Sequence, residues 1–211
     1  MPRTVSLMAL FLLSLSPFVQ ADESRFVEGT HYRVMDNPAS VADPNRIEVR
    51  EFFFYGCPHC YNVQSLIHNW KQNVADDVHF VATPVLFIRG AEPLARAFYV
   101  AHSKGILDEV HLPIFQAIHE HRENLFDQRA LASFFRAYDI DVEEFNDLYS
   151  SFGVSTRIRQ ADALSREYRI TGTPAFAVAG KYVVLRSNLA NDRETFEVID
   201  HLVEKERKAR N

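Results

Sequence analysis

Two cysteines are all that this chain of 211 residues contains, and they stand three positions apart as Cys57 and Cys60. A bond between them closes too small a loop to stabilise a fold much, so no disulfide scaffold holds the protein together. No second cysteine pair exists to complete a zinc site, and His119 and His121 are two apart and would diverge on a helix. The chain also lacks a basic excess, with 23 Lys and Arg against 28 Asp and Glu, which points away from nucleic acid and anionic membrane surfaces. Beyond Ala21 no apolar, uncharged run approaches the ~20 residues that span a bilayer. No internal repeat and no low-complexity linker is present.

The N-terminus reads as an export signal. Arg3 supplies a positive start, Val5 to Leu15 an apolar run, and Val19-Gln20-Ala21 a small-residue cleavage site. An uncleaved anchor is the alternative, but the run before Pro17 is too short to span a bilayer. Cleavage puts the start of the mature chain at Asp22. Losing Arg3 leaves 22 basic residues against 28 acidic ones, a net charge of −6. A soluble, exported protein in an oxidising compartment is expected. About 190 residues suffice to bury a full core as one domain, or as a domain with an insertion.

Residues 47–55 (IEVREFFFY) are β-branched and aromatic without a clean period of two, as in a central strand covered on both faces. Gly56 and CPHC follow at once. Val63, Leu66, Ile67, Trp70 and Val74 then mark a helix stripe, and Val78 to Thr83 a second, parallel strand. From Glu92 to about Tyr168 the pattern is helical, with Pro93 suited to a first turn, Asp127 to a cap, and Asp141 with Glu144 to a capping box. Strands return at 175–178 and 182–185 around an Ala179-Gly180-Lys181 turn, and Asn191 with Glu194 starts a last helix. A basic tail from Lys205 is expected to fray. The order is βαβ, helices, β-hairpin, helix. It predicts an α/β domain with a helical insertion between two halves of one sheet.

Thiol–disulfide exchange needs a thiolate that can attack or leave, and a helix N-terminus offers a positive dipole end and free N–H groups. Cys57 stands at that point. Pro58 has no N–H to lose in the first turn, His59 can add charge or a donor, and Cys60, one turn inward, is the buried resolving partner. A structural pair, or half of a zinc or copper site, are the competing readings of the two cysteines. No metal site is expected.

EFFFYGCPHCY in this strand-turn-helix setting closely resembles the active-site segment of the DsbA family of thiol:disulfide interchange proteins. The segment Gly105 to Phe115 (GILDEVHLPIF), the later TGTPAF and the AGKY turn carry the resemblance over nearly all of the mature chain. It implies a thioredoxin fold interrupted by an α-helical insertion domain. The expected parts are a signal peptide (1–21), a thioredoxin-like domain in two pieces (22–88 and 161–205), an insertion (89–160) and a basic tail (206–211).

It further implies a dithiol oxidase without cofactors, a monomer in the periplasm. Cys57 would form the mixed disulfide with unfolded exported proteins while Cys60 leaves, and a DsbB-type membrane partner would reoxidise the pair. Pro174 matches the family's cis-proline, whose loop pairs with a bound peptide strand. Thr173 departs from the Val often found there and is similar to the Thr of DsbC-type isomerases. Glu51, six residues before Cys57, matches a buried acid that tunes the thiols and passes protons. The plainer reading puts Glu51 at a solvated strand end. The family often places a Lys on the neighbouring strand, and 78–84 has none. An isomerase or reductase of the same fold, or a non-enzymatic peptide or copper binder, are the alternatives.

Overall fold

The computed structural model describes residues 25–210. The expected export signal and its cleavage site lie outside them. Five strands form one sheet in the order β1-β5-β4-β2-β3: β1 (Tyr32–Val34), β2 (Ile47–Phe53), β3 (Val78–Pro84), β4 (Ala175–Val178) and β5 (Tyr182–Val184). Only β2 and β3 run parallel, across the helix α1 (Pro58–Lys71); the other pairs are antiparallel. β2 lies between β3 and β4 and every one of its residues is buried, the charged Glu48, Arg50 and Glu51 included, as the absence of a clean period of two predicts.

Alternate residues of β2 serve different layers. Ile47 and Val49 pack with Val63 and Ile67 of α1 and with Phe196, Ile199 and Leu202 of α7 (Asp192–Arg210). Phe52 faces the other side with Met35, Tyr168 and Val183. The same side holds a buried ion pair, Arg50 to Glu48 at 2.7 Å, completed by Thr83 Oγ1 at 2.5 Å and by the Ala42 N–H on Glu48.

Between β3 and β4 the chain forms α2 (Ala91–Lys104), α3 (Leu107–His119), α4 (Gln128–Phe135), α5 (Val142–Ser150) and α6 (Phe152–Glu167). Their core of Phe98, Ile114, Phe115, Phe135 and Phe145 continues without a break into Phe53, Tyr55 and Cys60. The end of β2 and the start of α1 are thus clamped between two bodies. Asp127 and Asp141 cap α4 and α5 as expected, each accepting from an N–H three residues on, and Asn191 with Glu194 makes the same contact at α7. The hairpin turn has positive φ at Ala179 and Gly180, as a type I′ turn requires. This is a thioredoxin fold interrupted by a helical insertion, as expected.

Three expectations change. The edge strand β1 has no counterpart in the sequence reading, because three residues with a partly exposed Arg33 carry no alternation long enough to see. β2 ends at Phe53, and Tyr55 belongs to the turn. The tail does not fray: α7 runs to Arg210, held by Arg207 on Asp77 at 2.7 Å and by Lys181 and Arg210 on the buried Glu206.

Candidate active site

Cys57 is the N-cap of α1 and Pro58 fills the first turn. The fold presents Cys57 at the surface and turns Cys60 inward, where it is fully buried. The Cys57 Sγ lies 3.4 Å from the Thr173 carbonyl oxygen, to which the thiol donates. Thr173–Pro174 is a cis peptide, as the resemblance implied. Residues 116 positions apart in sequence thus meet at one sulfur.

The two thiols are driven in opposite directions. Cys57 comes down from 9.0 to about 5, chiefly through the hydrogen bond from the Cys60 thiol; burial opposes this, and the Thr173 side chain and the backbone N–H groups of Cys60 and His59 add to it. Burial pushes Cys60 far up, helped by its hydrogen bond to Cys57 and by the nearby Glu51. The pair therefore holds one thiolate, and it is the partly exposed Cys57 sulfur that carries it. His59 is exposed, and what it gives the sulfur is a backbone N–H.

Glu51 faces α1, not a solvated strand end, and is fully buried. Gln64 Nε2 donates to the Cys60 carbonyl at 2.9 Å and sits 3.5 Å from Glu51 Oε1, while Oε2 has no partner among the described residues. Burial pushes the carboxyl up from 4.5 to about 8; Gln64 and Arg186 pull it down, and Cys57 adds to the rise. At neutral pH this is a protonated acid beside a buried thiol. In place of a lysine, β3 pairs Ala82 with Glu51.

Sequence reasoning missed four contributors. Arg186, in a short 3-10 turn after β5, donates to the Pro174 carbonyl at 2.9 Å and pairs with Asp192. Gln64 carried no signal beyond its place on the helix. His111 and His119, eight apart on α3, grip the turn before Cys57: His111 Nδ1 shares a 2.8 Å hydrogen bond with the Tyr55 hydroxyl, and His119 Nε2 donates to the Tyr55 carbonyl at 2.8 Å. The ring of His119 also stacks on Tyr61 at 5.3 Å. Their spacing, with Phe115 between them, could have marked one helix face.

Gly56 is fixed by crowding, since a Cβ there would meet the Phe54 ring at 2.6 Å and the Phe126 ring at 3.1 Å. Those two rings form apolar surface close to Cys57. Leu94 is core, whereas Phe87 is largely exposed. Among the described residues no cluster of three or more His, Cys, Asp or Glu is placed to hold a metal ion, and no helix is long and apolar enough to cross a membrane.

The family model described as a DSBA-like thioredoxin domain matches residues 48–197. The chain is 35% identical over 190 residues to the thiol:disulfide interchange protein DsbA of Pseudomonas aeruginosa, covering 90% of this chain and 89% of that one. Against the protein of the same name from Burkholderia cepacia it is 33% identical over 204 residues, 96% of each chain. The crystal structure of Pseudomonas aeruginosa DsbA superposes with a TM-score of 0.82 at 35% identity, over 87% of this chain and 96% of that one. The oxidoreductase NmDsbA1 from Neisseria meningitidis does so with a TM-score of 0.77 at 26% identity, over 90% and 98%.

Proposed function

This chain belongs to the DsbA family of thiol:disulfide oxidoreductases, and from that premise we propose that it is an exported oxidase that gives its Cys57–Cys60 disulfide to folding proteins. The carrying observation is the asymmetry of the two thiols, one partly exposed and held near 5, the other buried and pushed up. Each pKa unit removed from the leaving thiol is worth ~1.4 kcal/mol, or ~30 mV for a two-electron couple, and favours the reduced enzyme. A dithiol poised in this way oxidises its clients.

A client thiolate attacks Cys57 Sγ and forms a client–Cys57 bond. The Cys57–Cys60 bond breaks, its electron pair goes to Cys60 Sγ, and that sulfur takes the Glu51 proton. The client's second thiolate then attacks the client sulfur of the mixed disulfide and expels Cys57 as a stabilised thiolate. Two electrons have passed from client to enzyme. A membrane-bound reoxidant of the DsbB type removes them again.

Thr173 and Pro174 supply the backbone edge for an extended client segment, with Phe54 and Phe126 offering apolar contact beside it. The expected export signal at 1–21 directs the protein to the periplasm, where such clients fold. Thr173 leaves room for isomerase activity, but a thiol near 5 favours net oxidation.

Trapping tests the assignment. In a Cys60→Ala variant the Cys57 thiolate should attack a disulfide-bonded client, displace one client thiolate and accumulate the mixed disulfide because no Cys60 thiol remains to release it, whereas Cys57→Ser should form none. Equal trapping through either cysteine would contradict it.

A further inference from the structure

Glu51 is sealed from solvent, yet solvent comes within one strand of it. Its register partner Ala82 lies on the same face of the sheet and is partly exposed. Adjacent strands are only ~4.8 Å apart. Ala82 forms part of the wall of a cavity of about 690 Å³ bounded by α1, β3, α2 and α3. Gln64 lines the same cavity. Its amide nitrogen faces the other way as well, 2.9 Å from the Cys60 carbonyl and 3.5 Å from Glu51 Oε1. The second carboxyl oxygen, Oε2, is buried and unpartnered among the described residues. Such an oxygen is costly unless it meets water or a proton.

We infer that Gln64 is a positioning residue which holds the Glu51 carboxyl between Cys60 and this cavity, and that the cavity is the side from which Glu51 regains its proton. The inference rests on the reading of Glu51 as the acid that protonates Cys60. When Cys60 leaves, Glu51 gives it a proton and becomes a carboxylate. Hydronium in the cavity restores the acid, and Gln64 contributes no net proton. The Cys60 side offers no such path, because that thiol is fully buried.

The charged and titratable groups acting on Glu51 are few. Cys57 and Cys60 face it from the N-cap and first turn of α1, Tyr55 from the turn after β2, and Arg186 from beyond β5. β3 and β4 place Ala82 and Phe176 opposite it. Across the cavity, His111 is neutral, its pKa lowered by burial to about 3; His68, Lys71 and Asp108 line the walls.

The test is infrared titration of the Glu51 carboxyl in the reduced full-length protein, with the Cys57 thiolate followed by absorbance. A midpoint near 8 is expected, and it should vanish in Glu51→Gln. Gln64→Leu removes the hydrogen bond that favours the carboxylate, and Ala82→Leu fills the space beside it. Each should raise the midpoint by about half to one pH unit while leaving the Cys57 midpoint in place. Asn62→Ala, which alters the cavity wall only, should move neither. An unmoved midpoint in Gln64→Leu overturns the positioning role, and an unmoved one in Ala82→Leu overturns the route. A carboxyl signal that survives Glu51→Gln overturns the reading of Glu51 itself, and the inference with it.

Discussion

Reducing the Cys57–Cys60 bond should give the folded protein a pH dependence set by one proton. In the reduced protein the Cys57 thiol is held at about 5, down from 9.0, whereas in the unfolded chain it titrates near its ordinary value of ~8.5. A folded-state pKa below the unfolded one contributes stability that is present above the unfolded value and is lost as pH falls through the folded value. The window therefore runs from about 9 down to about 5, with a limiting slope of ~1.4 kcal/mol per pH unit. Cys57 is partly exposed, so halving the full interval for solvent screening leaves about 2–3 kcal/mol.

The oxidised protein has no thiol to titrate and gains on the order of 2 kcal/mol from its small closed loop at every pH. Glu51, raised from 4.5 to about 8, penalises folding progressively as pH rises through that interval, but does so in both redox forms and largely cancels. Urea unfolding of both forms from pH 4 to 9 should show the oxidised form ahead by about 2 kcal/mol at pH 4, and the lead gone or reversed at pH 8. A difference that is flat with pH, or one that grows toward alkaline pH in favour of the oxidised form, would refute the assignment of the thiolate.

Three further outcomes follow from named contacts. Gly180→Ala should cost at least about 2 kcal/mol in denaturant unfolding, because φ is +71° there and the new Cβ would lie 2.4 Å from the Ala39 carbonyl oxygen. His111 is buried with its pKa lowered to about 3, so the native protein should lose stability as pH falls from about 6.5 toward 3. His111→Phe should abolish that slope while costing about 1–3 kcal/mol at pH 7 for the orphaned Tyr55 hydroxyl, as read by unfolding at pH 7 and pH 4. Arg186→Met should raise KM for a peptide client several-fold with little change in kcat, since Arg186 holds the Pro174 carbonyl and not the sulfurs; a loss confined to kcat would refute this.

The strand-turn-helix core of the site was legible because its signals are local. A β-branched and aromatic segment without a clean period of two gives a buried strand, Pro58 suits a first turn, and the spacing of Val63 and Ile67 marks a buried face. The cis bond at Pro174 was legible only through resemblance. Glu51 sat between two readings because alternation along a strand cannot say whether both faces are covered; the layers packed on β2 decide it. Gln64 and Arg186 were out of reach for another reason. Their partners are carbonyls brought near by the fold, the Cys60 carbonyl for one and the Pro174 carbonyl for the other, and a carbonyl leaves no mark in sequence. α3 was seen only as part of a helical region, since Ile106 gives it no side-chain cap and Pro113 lies inside it.

The most direct test of the oxidase account is the equilibrium reduction potential of the Cys57–Cys60 pair in glutathione buffers, with the thiolate absorbance of Cys57 read on the same samples. The asymmetry of the thiols predicts a potential above about −200 mV with a Cys57 midpoint near 5. A potential near the roughly −270 mV of thioredoxin, with an ordinary thiol, would contradict it and mark the protein as a reductase.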